Sequence, residues 1–84
     1  MKAEEVFQVL AQKPFQPMRV HVRDGRILEI RSRQLAVVGV SWLDIGIPAP
    51  GETEAIYDYV LTIPLDDIVK IELDKYSMNA GPKS

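Results

Sequence analysis

Cysteine is absent and histidine occurs once, at position 21. Without cysteine the chain builds no disulfide framework, Cys-based zinc site, iron–sulfur cluster or thiol nucleophile. A single histidine removes most metal-ligand and triad arrangements as well. Aromatic residues make up only 7% of the chain, and few are interleaved with basic residues, where a stacking surface for bases would need them. Long apolar runs are also missing: the longest, Leu35 to Val40, has six residues, against the ~20 that cross a bilayer. The opening Met1-Lys2-Ala3-Glu4-Glu5 is acidic after one lysine and lacks the continuous apolar run of a secretory signal, so the expected location is the cytoplasm, with no membrane association. Gly25, Gly39, Gly46 and Gly51 are scattered without phosphate-loop or dinucleotide spacing. Ser32, Ser41 and Ser77 lack flanking glycines and a His–Asp relay.

What is present fits one small domain. At 84 residues a chain buries roughly 60–65% of the surface it exposes when unfolded, which leaves room for a single modest core. Residues 1–76 are expected to form that domain, and 77–84 a flexible tail. Ala3, Val6, Phe7 and Leu10 recur at helical spacing, which predicts an amphipathic helix over 2–12. Glu4 and Glu5 lie at its N-terminal end and Lys13 in its last turn, as the helix dipole favours. Pro14 stops it, and Phe7 and Phe15 are expected at its contact with the rest of the domain.

From Met18 the period becomes two, with Met18, Val20 and Val22 on one side and Arg19, His21 and Arg23 on the other. Asp24-Gly25 marks a hairpin. A two-residue loop would place Glu29 on the apolar face opposite Val20, whereas a three-residue loop with Gly25 as the bulge pairs Val20 with Leu28 and Met18 with Ile30 and sets Arg19 opposite Glu29. The second arrangement is expected. Leu35–Val40 reads as a strand bent at Gly39, Trp42–Ile47 as the strand facing it, and 48–54 as an exposed loop. Tyr57, Tyr59, Leu61 and Ile63 then alternate with Asp58, Val60 and Thr62. Pro64-Leu65-Asp66-Asp67 is a tight turn, and in the last strand Val69, Ile71 and Leu73 alternate with Lys70, Glu72 and Asp74.

The fold class expected is mainly β (α+β): an N-terminal helix followed by a strongly bent antiparallel five-stranded sheet or small barrel, closed so that no edge is exposed. In layout, the helix, the strand ending Arg23-Asp24-Gly25-Arg26 and the segment Ile63–Ile71 are similar to Sm-like and SH3-like barrels. The stretch Lys13-Pro14-Phe15-Gln16-Pro17-Met18 through Asp24-Gly25-Arg26 also resembles the shared opening of a group of short, uncharacterised bacterial proteins, as do Leu35–Val40, Ile45-Gly46-Ile47-Pro48 and the Ile68–Glu72 ending. That group often reads His-Pro-Glu where this chain has Arg33-Gln34-Leu35. The resemblance implies a fold and no activity.

Charge is uneven. Residues 1–42 hold seven basic and four acidic side chains, whereas 43–84 hold three and eight. All five arginines fall between 19 and 33. By alternation Arg19, Arg23, Arg31 and Arg33 share the outer face of the first hairpin with His21, and Arg26 flanks the turn. Such a cluster of guanidinium groups suits anion or RNA contact. The competing reading is a solvated face in which Arg19 pairs with Glu29 and others pair with the acidic half. His21 has no ligand partners at useful spacing, and Asp66, Asp67, Glu72 and Asp74 lack a calcium-loop pattern. Trp42 is either a core residue or a partner-contact anchor. No pair of catalytic groups, metal or cofactor is indicated. The function expected is a non-catalytic binding or adaptor module acting through protein–protein contacts, as a homo-oligomer or with another protein; the alternative is an Sm-like RNA binder using the arginine face.

Overall fold

Helix α1 spans Ala3–Leu10 in the computed structural model, which describes residues 1–52 and 56–74. The Glu5 carboxylate accepts the Lys2 backbone N–H at 2.8 Å, satisfying one of the free donors of the first turn. The N-terminal amine of Met1 donates to the Leu65 carbonyl at 3.0 Å and ties the helix to the body. Val6 and Leu10 are buried, with Ala3 and Val9 packed beside them. Phe7 does not join them: it is 52% exposed. The stripe Val6-Val9-Leu10 faces the core, and Phe7 lies about 100° round the helix from Val6. Phe15 does pack against the core. Lys13 lies beyond the helix end, and the Lys13–Pro14 peptide bond is cis.

Strands β1 (Met18–Val22) and β2 (Ile27–Ile30) form the first hairpin. Its register is Met18↔Ile30, Arg19↔Glu29 and Val20↔Leu28, the pairing that keeps the apolar side chains on one face. Gly25 sits at φ +98°, its N–H donating to the Val22 carbonyl at 2.9 Å while the Val22 N–H donates to Arg26. That is the geometry of a three-residue loop ending in a glycine bulge.

The rest of the chain departs from a single five-stranded sheet or barrel. A 3-10 turn at Arg33–Leu35 leads into β3 (Ala36–Val38), then β4 (Trp42–Pro48) and β5 (Tyr57–Pro64); a second 3-10 turn at Leu65–Asp67 leads into β6 (Ile68–Leu73). Among the described residues six strands make two antiparallel sheets of three, ordered β2-β1-β6 and β3-β4-β5, with no closed barrel. The cause is local. Each 3-10 turn redirects the chain from one sheet to the other, so β2 does not pair with β3 and β5 does not pair with β6. Instead β6 returns to β1, matching Met18 with Leu73. The sheets share one core: Met18, Val20, Val22 and Ile30 from the first meet Ala36, Leu43, Ile45 and Ile63 from the second, with Leu65, Ile68, Val6 and Leu10.

Two bulges change which side chains face that core. Between β1 and β6 the register shifts from His21↔Lys70 to Val22↔Ile68, so Ile68 turns inward and Val69, although it alternates in sequence with Ile71 and Leu73, is 64% exposed. Between β4 and β5 it shifts from Ile47↔Tyr59 to Pro48↔Tyr57, leaving Asp58 as the extra residue. Tyr57 therefore leaves the face of Tyr59 and lies over Gly46, where a Cβ would meet its Cγ at 3.2 Å. In the loop after β4, Gly51 adopts φ +82° and Glu52 N–H donates to Ala49. The remainder of that loop, 53–55, and the expected tail at 77–84 lie outside the described residues.

Candidate interaction surface

The outer face of the first sheet is built from cross-strand rows, Glu29–Arg19–Glu72 and Ile27–His21–Lys70. Alternation puts these side chains on the solvent side because Met18, Val20 and Val22 take the core side. Each arginine has a partner. Arg19 reaches Glu72 at 3.6 Å, although Glu29 lies opposite it as well; Glu29 is engaged by Arg31 at 3.2 Å. Arg23 donates to the Asp66 carbonyl at 2.6 Å and lies 3.9 Å from the Asp67 carboxylate. Arg26 pairs with Asp24 at 2.8 Å. Arg33 leaves this face altogether, because β2 ends at Ile30 and the following turn aims its guanidinium at the Ala36 carbonyl, 2.8 Å away.

His21 Nε2 lies 2.9 Å from Glu72 Oε1. An ionised carboxylate only accepts, so Nε2 carries the hydrogen. That bond, aided by the Arg19 charge, holds the Glu72 carboxyl below its ordinary range. The Asp24 carboxyl is lowered too, first by the Arg26 backbone N–H that it accepts and then by the Arg26 side chain. Among the described residues no three His, Asp or Glu side chains gather as a metal site, and no helix is long and apolar enough to cross a membrane.

The second sheet exposes more large apolar side chains. Trp42, at the start of β4, is 38% exposed and lies outside the core cluster. Its indole covers Gly39 so closely that a Cβ there would overlap the ring. Beside Gly39 a groove of about 380 Å³ runs between α1 and the β3–β4 connection, lined by Ala3, Phe7, Val38 and Val40, with Val40 91% exposed. On the outer face Leu35 and Tyr57 close over Gly46, flanked by Val37 and Val60. Thr62 donates to Asp44 on the same face. Strand β5 is an edge strand of its sheet, and Tyr57, Tyr59 and Val60 are all exposed.

The sequence singles out Trp42 but not Phe7, Val40 or the β5 edge. Helical spacing assigns Phe7 to the core, and an edge strand reads like a central one until its neighbours are known. No family model, curated protein or solved structure matches this chain.

Proposed function

We propose that this protein is a non-catalytic interaction module that binds other polypeptide chains through its second sheet and the groove beside α1. The observation that carries the reading is an asymmetry: charged side chains, most of them ion-paired, dominate the outer face of the first sheet, whose large exposed apolar residues are Ile27 and Val69 among the described residues, while Phe7, Val37, Val40, Trp42, Tyr57, Tyr59 and Val60 stand exposed around the second. Exposed apolar groups gathered on one part of a small domain are the usual mark of a contact surface. Paired surface charges alone do not exclude RNA, since exposed ion pairs exchange readily for phosphate. What disfavours RNA is that β1, β2 and β6 carry no Phe, Tyr or Trp beside Arg19 and the arginines that flank β1 and β2, His21 being the one ring on that face.

The test sets two groups of variants against each other. Protein is purified at low salt, assayed for co-purifying nucleic acid and titrated with a labelled single-stranded RNA. In parallel it is chemically cross-linked in extract. No RNA should co-purify or bind. Cross-linked protein products should persist in the double variant Arg23→Glu, Arg26→Glu and fade in Trp42→Ala and Val40→Glu. Co-purifying RNA that is removed by the arginine double variant, with binding that falls steeply as salt rises, would replace this reading with the RNA one.

A further inference from the structure

Resting on that reading, we infer that the free edge of β5 pairs with β5 of a second copy of this chain, antiparallel and centred on Val60, so that the two second sheets join into one. Among the described residues four strands lie at sheet edges: β2, β6, β3 and β5. Three are poor templates. β2 has four residues and β3 three, while β6 is interrupted by the bulge at Val69 and carries Lys70 and Glu72. Bulges and charges of this kind blunt an edge. β5 runs for eight residues, Tyr57–Pro64, with no lysine or arginine and one aspartate, and its own bulge, at Asp58, lies next to its first residue and leaves Tyr59–Pro64 regular.

The direction of its backbone groups follows from a hydrogen bond just past its end. Leu65 N–H donates to the Ser41 carbonyl at 3.0 Å, and this pair continues the register Leu43↔Ile63, Ile45↔Leu61, Ile47↔Tyr59. Tyr59, Leu61 and Ile63 therefore turn their N–H and C=O groups toward β4, and the alternate residues turn theirs to the open edge. The Gly39 N–H, donating to Trp42 at 2.8 Å, sets the complementary phase on the β3 side of β4. Within the regular stretch the outward set is thus Val60, Thr62 and Pro64, and the bulge at Asp58 ends that alternation at the other side.

Pro64 fixes where pairing stops. It has no N–H and its ring occupies the outward direction, so a ladder built on this edge ends before it. A two-fold axis at Val60 sets Pro64 opposite Ile56 of the partner subunit, beyond the start of its β5, whereas an axis one residue later would set Pro64 opposite Asp58 of the partner subunit, inside the strand. In the first arrangement Val60 faces Val60 of the partner subunit, and Thr62 faces Asp58 of the partner subunit. Like charges do not meet in this register. On the inner face Leu61 lies opposite Tyr59 of the partner subunit, an aliphatic–aromatic cross-strand pair. Such an interface is isologous and closes on itself. One short strand per copy falls at the low end of interface sizes, so the dimer dissociates on dilution.

Light scattering on the full chain across a concentration series reads the mass directly. It should rise from 9.5 kDa to twice that value. Val60→Lys should stay at the monomer mass with an unchanged urea midpoint, because Val60 is exposed and its β4 contacts are kept. The register is read by cross-linking, since the chain has no cysteine of its own. Paired residues of this type have Cα atoms about 5.5 Å apart, within disulfide reach, so Val60→Cys should form a covalent dimer on mild oxidation and Thr62→Cys should not. A wild-type monomer at every concentration, or a dimer that tolerates Val60→Lys, overturns the pairing; a Thr62→Cys cross-link in place of the Val60→Cys one overturns the axis. A monomer that still loses its cross-linked products in Trp42→Ala would end the edge pairing and leave the contact reading standing. RNA co-purification would end that reading whatever the mass.

Discussion

Gly25 and Gly39 are required for different reasons. At Gly25 the backbone is at φ +98° with open space around the missing Cβ, so the constraint is conformational. Gly25→Ala should cost about 1 kcal/mol, seen as a lower urea midpoint with an unchanged slope. At Gly39 the constraint is contact: an added methyl displaces the indole of the single tryptophan. Gly39→Ala should therefore shift the emission of Trp42 to the red. Glu72 gives a pH prediction. Its carboxyl is held below the ordinary value of 4.5, chiefly by the His21 hydrogen bond and then by Arg19. A depressed carboxylate adds stability that is present above that value and lost as the pH falls through its folded pKa. The difference in urea midpoint between wild type and Glu72→Gln should be seen at neutral pH and vanish well below 4.5.

At the level of elements, α1 tests which side chains hold it. Leu10 is 1% exposed and Phe7 52%, so Leu10→Ala should cost about 2–4 kcal/mol while Phe7→Ala stays within about 0.5 kcal/mol. Chemical denaturation of the two variants would show it. The first hairpin was legible in the sequence because only one loop length keeps Glu29 off the apolar face. The bulges at Asp58 and Val69 were not legible. A bulge alters no composition, and the alternation Tyr57-Tyr59-Leu61-Ile63 reads the same whether or not the strand skips a residue. Its presence is decided by the partner strand, as the pairing Pro48↔Tyr57 shows. The exposure of Phe7 was hidden for a similar reason: Val9 competes for the same side of a helix only eight residues long, and spacing alone does not choose between them.

At the level of the whole molecule, residues from both sheets and the helix belong to one core. Unfolding should therefore be a single transition, with the tryptophan emission and the far-ultraviolet circular dichroism of the sheets changing together; separated midpoints would show independent sheets. The uneven charge of the two halves is resolved by topology, since β6 carries Glu72 to Arg19 and the turn before it carries Asp67 to Arg23. The candidate contact surface was only partly legible. Trp42 stands out as a lone tryptophan, but the openness of β5 depends on β6 having gone to the other sheet. That choice also orders events during synthesis. β1 sits in the middle of its sheet, and one of its neighbours is the last strand of the described chain. A nascent chain on the ribosome leaves β1 with an open side until residue 73 emerges, so a product cut short before β6 presents a half-built sheet to chaperones and proteases.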